Sequence, residues 1–423
     1  MKTLSIALIT LILLFAASST LANNYYVDPS ADKSKNKGTI ADPFNSNREL
    51  NRQMKNFLPG DSIFFRKGQL YDSRVFITCS GLPNKPIVFS TYGDATEMPS
   101  FLYASDGEER HIMITFYQCR YVVMDGIQVQ DDNLQQLDQS AMARIKIAFS
   151  IDQSDHIVIR NCKAAYVGIG VNIVGAYNEV LNSKFEHLRM VRNTKGGDDD
   201  YGANPVVIAG PNNLVKGCVF RHAWALSYDY EYDGGAVEIF GPNCHNNRIL
   251  NNLAYDCNGF VEFGSDAGGT STNTLIEGNL IVNCGDLLYI SSSGNFAMSV
   301  QGLEFRNNKI IQNIDQLTRP RYMISMKKAI TGKDILRLNG NVFWLTNGVS
   351  LLKENQFAPG QLTHKHNLYY LKGGKLNISP DPTEKLLQPS NQSVMRKILG
   401  KDWDAFPEIF PFKHLAAYWH LFL

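Results

Sequence analysis

Acidic residues crowd two short stretches of the chain. "GGDDDYGANPVVI" at 196–208 sets Asp198, Asp199 and Asp200 between paired glycines and Tyr201, and then turns at once into an apolar run. "AWALSYDYEYDGGA" at 223–236 adds Asp229, Glu231 and Asp233, interleaved with Trp224, Tyr228, Tyr230 and Tyr232. Glu238 and Glu262 follow in "VEIFG" and "VEFGS". Three kinds of chemistry draw on such a set. Calcium, a hard cation, prefers oxygen ligands, which Asp198, Asp199 and Asp200 with Glu238 can offer. A glycoside hydrolase needs two carboxyl groups, about 5 Å apart when it retains configuration and farther apart when it inverts. Glu238 with Glu262 suits the first case, and Asp199 or Asp233 with Glu238 the second. Elimination from a uronic acid needs positive charge on the substrate carboxylate, a base for the proton alpha to it, and an acid for the leaving oxygen. Lys195 or His222 can serve as base, Tyr201 or Tyr230 as acid, and Arg221 as the neutralising charge. Trp224 and Tyr228, with His187, Asp229, Glu231 and Asp233, are candidates for holding sugar.

The elements that must position these residues recur along the chain. An apolar-alternating run, a pair of small or amide residues and a second apolar run appear as HIVIRNCKA (156–164), NEVLNSKFEH (178–187), NLVKGCVFRH (213–222), NRILNNLAYD (247–256), NTLIEGNLIVN (273–283), LEFRNNKIIQ (303–312) and LRLNGNVFWL (336–345). Alternation with period two marks strands. Asn and Gly at the central pair suit a sharp bend, because both tolerate left-handed backbone. Short strands, regular bends and steps of irregular length describe a solenoid in which each turn of chain lies on the one before. A β-sandwich would instead show tight Asn-Gly hairpins.

A further strand of each coil follows: VNIVG (171–175), VVIAG (206–210), VEIFG (237–241), VEFGS (261–265) and LYISS (288–292). Alternation places Asn172, Val207, Glu238, Glu262 and Tyr289 on the outside, one above another. Strands in a sheet lie about 4.8 Å apart, so Glu238 and Glu262 are expected as stacked neighbours. Two carboxylates that close do not both ionise without a cation or a shared proton. A second ladder sets Tyr166, His187, His222, Asp256 and Asn283 at matching positions, with Arg221 beside His222. The step between the two parts of a coil is short at 167–170 and 257–260 but swells at 188–204 and 223–236. Both insertions leave the same corner, and are expected to lie side by side over the strand that carries Glu238. Loops on a rigid scaffold commonly carry function. No Lys or Arg stands on the outer ladder opposite Glu238.

From Tyr25 to about Gly93, and above all in "PGDSIFFRKGQLY" and "NKPIVFSTYG", the sequence resembles the opening of secreted right-handed parallel β-helix proteins of the pectate-lyase-like superfamily. "GGDDDYGANPVVI" and "YDGGAVEIFG" resemble bacterial members grouped with alginate and related polysaccharide lyases. The resemblance implies an all-β, right-handed parallel β-helix with an N-terminal cap and an irregular C-terminal tail. It implies a polysaccharide lyase acting on an acidic, uronic-acid polymer, with calcium as a cofactor where the aspartates bind it. The same superfamily also holds hydrolases, epimerases and non-catalytic binding modules, so a glycoside hydrolase and a carbohydrate-binding β-helix stand as alternatives.

The remaining features bound the reading. The chain has 423 residues, 44% hydrophobic, with a net charge of +1. No basic stretch stands out, which argues against a nucleic-acid partner. Residues 1–22, MKTLSIALITLILLFAASSTLA, have the basic start, apolar run and small-residue end of a secretory signal, so an extracellular or periplasmic monomer is expected. No later stretch is long and apolar enough to span a membrane. The expected organisation is a signal at 1–22, the β-helix at 23–375 and a cap or peripheral tail at 376–423. Seven cysteines without a CxxC pair suggest buried thiols.

Overall fold

A computed structural model describes residues 22–387 apart from 33, 35, 104–111, 132–136, 139–144, 193, 267, 313–320 and 347, together with Lys397. The proposed signal, except Ala22, and nearly all of the chain beyond 387 lie outside the described residues.

Three long parallel sheets run the length of the molecule. Sheet I has ten strands, from Val75–Ile77 to Val349–Leu352. Sheet II has twelve, from Asn24–Val27 to Leu362–Lys365, and sheet III twelve, from Leu70–Tyr71 to Lys385–Leu387. Each coil visits them in turn. The strand Ile169–Val174 lies in sheet I, Glu179–Leu181 in sheet II and Lys184–Glu186 in sheet III, and Asn204–Ile208 then returns to sheet I. Every pairing within the three sheets is parallel and between successive coils, as in a parallel β-helix. That pattern leaves no room for a sandwich, whose strands pair antiparallel. The inward side chains stack coil on coil: Ile173, Ile208, Ile239, Phe263 and Ile290 from sheet I are all buried.

The small pairs are the bends between sheets II and III. Their first residue is left-handed in every coil of the middle region: Asn182 at φ 48°, Gly217 at 68°, Asn251 at 53°, Gly278 at 67° and Asn307 at 54°. The second residue points inward, and from Asn252 onward it is asparagine. Each of these buried side chains accepts the amide of its counterpart one coil earlier. Asn252 N donates to Asn279 at 2.8 Å, Asn279 N to Asn308 at 2.9 Å, Asn308 N to Asn341 at 2.9 Å and Asn341 N to Asn367 at 2.8 Å. The ladder satisfies backbone donors that a buried corner would otherwise strand. It ends on Glu384, whose side chain accepts from Asn367 at 2.6 Å, Tyr369 at 2.9 Å, His364 at 2.8 Å and the Asp381 amide at 2.8 Å.

A short helix, Asn47–Gln53, precedes the first complete coil and is capped by Ser46. It buries Leu50 in the same core, and Met54 just beyond it joins that packing. At the far end Lys385–Leu387 pairs with Leu368–Lys372, so sheet III continues past residue 375. All seven cysteines are buried and free, as expected.

Candidate active site

The register of sheet I places Val207 opposite Glu238, Glu238 opposite Glu262, and Glu262 opposite Tyr289. The two glutamates therefore stand on adjacent strands, on the outward face, about one strand spacing of 4.8 Å apart. Asn204 Nδ2 donates to Glu238 Oε2 at 2.6 Å. Asn204 and Asp286 stand on a parallel ladder at the start of the same strands, where Ile169 pairs with Asn204 and Gly259 with Asp286.

Among the described residues, the charges acting on this pair are all of one sign. Burial pushes the Glu238 carboxyl up to about 8, and Asp233 and Asp266 add to the shift. Burial also drives Glu262 well above its ordinary range, with Asp233, Glu238 and Asp286 acting in the same direction. Asp233 is raised to about 6 by burial and by Asp200, against the Gly234 amide that it accepts. Tyr289 rises to about 12 through burial, Glu262 and Asp286. At neutral pH such a cluster holds protons that isolated carboxyls would release. The glutamates are half-buried on the outward face of sheet I.

Both insertions fold as hairpins. Met190–Arg192 pairs antiparallel with Tyr201–Gly202, and Leu137–Asp138 adds a third strand. Ala225–Ser227 pairs antiparallel with Glu231–Asp233. They meet at their bases, where Gly234 sits at φ 106° and a Cβ would lie 2.6 Å from that of Ala203. They meet again at their tips. Asp229 in the second hairpin accepts the amides of Gly196 at 2.7 Å, Asp199 at 2.9 Å and Asp200 at 3.2 Å in the first. Burial works against its charge, but these amides hold its carboxyl below the usual range. In return, Asp200 is buried and accepts from Ser227 Oγ at 2.8 Å. Asp198 accepts from the Tyr230 hydroxyl. The acidic run is thus a clamp between two hairpins, and the second hairpin brings Asp233 to the glutamate pair.

Ligand atoms of Asp199, Asp200 and Asp229 lie within 4.8 Å of one another, so these three could hold a metal ion. The set differs from the expected trio, with Asp229 in place of Asp198, and Glu238 is not part of it. Both Asp229 oxygens already accept backbone amides.

The histidines form a separate group at the corner between sheets III and I. Tyr166, His187, His222, Asp256 and Asn283 occupy one ladder, all left-handed, with φ between 50° and 58°. His187 stacks on Tyr166 at 5.3 Å and on His222 at 4.7 Å. His222 Nδ1 is bonded to Asp256, and its Nε2 accepts from Arg221 Nε at 2.9 Å. Burial lowers His187 to about 4, helped by His222. Arg221 also covers the Tyr255 ring at 5.3 Å. None of the charges acting on His187 belongs to the glutamate pair.

The other expected residues line the hairpins. Lys195 is exposed near the tip of the first, and Tyr201 is exposed on its returning strand. Trp224 packs edge-on against Tyr232 at 5.8 Å, and Tyr228 lies under the Arg192 guanidinium at 4.8 Å. Tyr230 is raised by burial and by Asp198. Glu231 is exposed at φ 71°. The structure adds Asn204, Asp266, Asp286 and Tyr289 to the groove. Phe240 and Phe296, 5.9 Å apart, stand on its sheet II side. Of these, Tyr289 was on the outer ladder legible in the sequence.

A rhamnogalacturonan lyase superposes with a TM-score of 0.50 at 15% identity, covering 88% of this chain and 86% of its own. A GH136 lacto-N-biosidase from Eubacterium ramulus gives 0.50 at 12% identity, over 86% and 67% of the two chains. An alginate lyase from Paenibacillus sp. str. FPU-7 gives 0.47 at 12% identity, over 81% and 96%. Among curated proteins no sequence matches. At these identities the likeness is one of fold, which polysaccharide lyases and glycoside hydrolases share. The sequence itself matches the family described as right handed beta helix region over residues 125–356, more than half of the chain, and the protein therefore belongs to that right-handed β-helix family.

Proposed function

We propose that the protein is a glycoside hydrolase in which Glu262 is the proton donor and Glu238 the partnering carboxylate. The observation that carries the reading is the stacked Glu238–Glu262 pair, on which Asp233, Asp266 and Asp286 are the other charges acting among the described residues. Two interacting carboxyls share protons as a unit. The one without a donor keeps the shared proton and suits general-acid work, while the one that accepts a donor ionises. Asn204 supplies a donor to Glu238 and so favours the charge there. A separation near one strand spacing fits the retaining geometry of about 5–5.5 Å. Glu262 then protonates the glycosidic oxygen as that bond breaks, and Glu238 bonds to the anomeric carbon. Water, deprotonated by Glu262, releases the sugar and restores both groups. Because the charges acting on the pair are acidic, a substrate residue without its own carboxylate suits the site better than a uronic acid.

The test is incubation with a fluorinated aryl glycoside that traps the glycosyl-enzyme, followed by mass mapping of the peptide holding Glu238. A label on another residue, or release of reducing ends undiminished in E238Q and E262Q, would reject the assignment.

A second reading, a lyase acting on an acidic polysaccharide, is favoured by the Asp199, Asp200 and Asp229 group as a possible cation site and by Lys195 and Tyr201 on the same hairpin. Absorbance of an unsaturated uronyl product, abolished by chelator, would establish it. Either reading goes with secretion, and N-terminal sequencing of the exported protein tests cleavage after Ala22.

A further inference from the structure

The outward face of sheet I is not open along its length. Next to Glu238 on the upstream side stands Val207, which points outward and yet is only 8% exposed. It packs in an apolar cluster of its own, apart from the solenoid core, with Ile145, Ile147, Ile169 and Val191. Val191 belongs to the first hairpin, where it pairs with Leu137 on one side and Tyr201 on the other. The extra three-stranded sheet therefore roofs the floor immediately upstream of the glutamates. Asn172, one rung farther, keeps partial exposure, and the rung beyond it, Ser150, is buried again at 4% exposed.

Downstream, Glu262 is followed by the half-buried Tyr289, and then by Ser325, which is 8% exposed. The accessible floor at the pair is thus three rungs, Glu238, Glu262 and Tyr289, spanning about 10 Å at the strand spacing. Across the strands, Asp233 and its hairpin wall one side, and Phe240 with Phe296 the other. The hairpin covers the upstream end of that floor, where Val191 packs on Val207.

We infer that the site is blocked at its upstream end and accepts the terminus of a glycan, so that the enzyme removes short units from chain ends and does not cut within a chain. A polymer lying along the solenoid would have to displace Val191 from Val207. A chain end needs only to enter between the hairpin and the Phe240 wall. This inference rests on the glycosidase reading and specifies where on its substrate that chemistry falls.

The experiment is a time course with the purified protein on arabinan, galactan, xylan and mannan, and on aryl glycosides of single sugars and disaccharides. Viscosity, product size and absorbance of unsaturated uronyl groups on parallel pectate and alginate samples are followed together. The expected result is one short product from the first minutes, with viscosity nearly constant, and hydrolysis of an aryl glycoside. A ladder of intermediate sizes with an early fall in viscosity would overturn the inference and leave the glycosidase reading standing. Unsaturated product, or no hydrolysis of any probe, would overturn the reading and the inference with it. Val191→Ser combined with Val207→Ser, with melting monitored, loosens the roof and leaves Asn204 and the Asp229 clamp in place. A folded, active variant should then yield longer products, and unchanged product sizes would show that the roof does not set the mode of attack.

Discussion

Asn204 donates its side-chain amide to Glu238 at 2.6 Å, and among the described residues Glu262 receives no such bond from it. The two stacked glutamates are therefore not equivalent. A donor to a carboxylate favours the charged form, and a hydrogen bond to a charged group is worth about 1.5–3 kcal/mol. Asn204→Ala should raise the Glu238 pKa and move the acid limb of kcat/KM against pH upward by about one unit or more. Turnover at neutral pH should fall roughly tenfold or more, while the melting temperature stays close to that of the parent. A uniform loss of activity with the limb unmoved would assign Asn204 a purely structural role.

The acidic groove gives stability a particular pH dependence. The folded-state pKa of Glu238, about 8, and that of Asp233, about 6, both lie above the ordinary values. Between the ordinary and the raised pKa the folded state binds more protons than the unfolded one, so stability falls as pH rises through that window. The melting temperature should decline from pH 5 to pH 8. E238Q and E262Q should each flatten that slope and gain stability at pH 8. A melting temperature that climbs over the same range in the parent protein would contradict the crowding of protons at this site.

Glu384 ends the asparagine ladder with the opposite sign. Burial works against its charge, but Asn367, the Asp381 amide, His364 and Tyr369 outweigh it and hold the carboxyl below its usual value. Its contribution is complete above the unfolded pKa and is lost as pH falls through the lowered folded value. Glu384→Ala strands several buried donors at about 1–3 kcal/mol each, and should lower the melting temperature markedly at neutral pH. Glu384→Gln should lose less, and the difference between parent and variant should shrink under strong acid.

Much of this frame was legible in the sequence. Period-two alternation and the small pairs located the strands, the bends and the outward ladder from Asn172 to Tyr289, and the register follows that ladder rung for rung. The two swollen steps located the hairpins. Asn204 and Asp286 escaped notice because alternation breaks at the start of each sheet I strand. Counting back by twos from Val207 turns Asn204 inward, but Pro205 and Val206 are both buried in succession and Asn204 is returned to the surface. Leu287 and Leu288 do the same for Asp286. The acidic run raised a different difficulty: its residues serve the hairpin clamp through backbone amides, a role that residue type does not reveal.

That clamp predicts an outcome for metal removal. Asp229 alone engages three amides of the neighbouring hairpin, so the hairpins are joined without an ion. Chelator should leave activity and melting unchanged. Asp229→Ala should lower activity about tenfold or more, because Asp233 is carried on the hairpin it loosens, and the coil core should melt as before. Calcium-dependent activity would instead favour the lyase reading.

His222 offers the sharpest separation of the two chemistries. Its Nδ1 is bonded to Asp256 and its Nε2 accepts from Arg221, so both nitrogens are engaged at the corner ladder. A histidine held in this way is a poor candidate for abstracting a substrate proton, because the nitrogen that would receive it already accepts a guanidinium donor. In the glycosidase reading the ladder is a stack that fixes the corner from which both hairpins depart. His222→Phe keeps the stacking surface on His187 and loses both polar bonds. It should lower the melting temperature by a few degrees, leave kcat within a few-fold of the parent, and leave the pH limbs where they were. Loss of activity by orders of magnitude, with the base-side limb of the pH profile abolished and the fold intact, would return His222 to the chemistry and displace Glu238 from it.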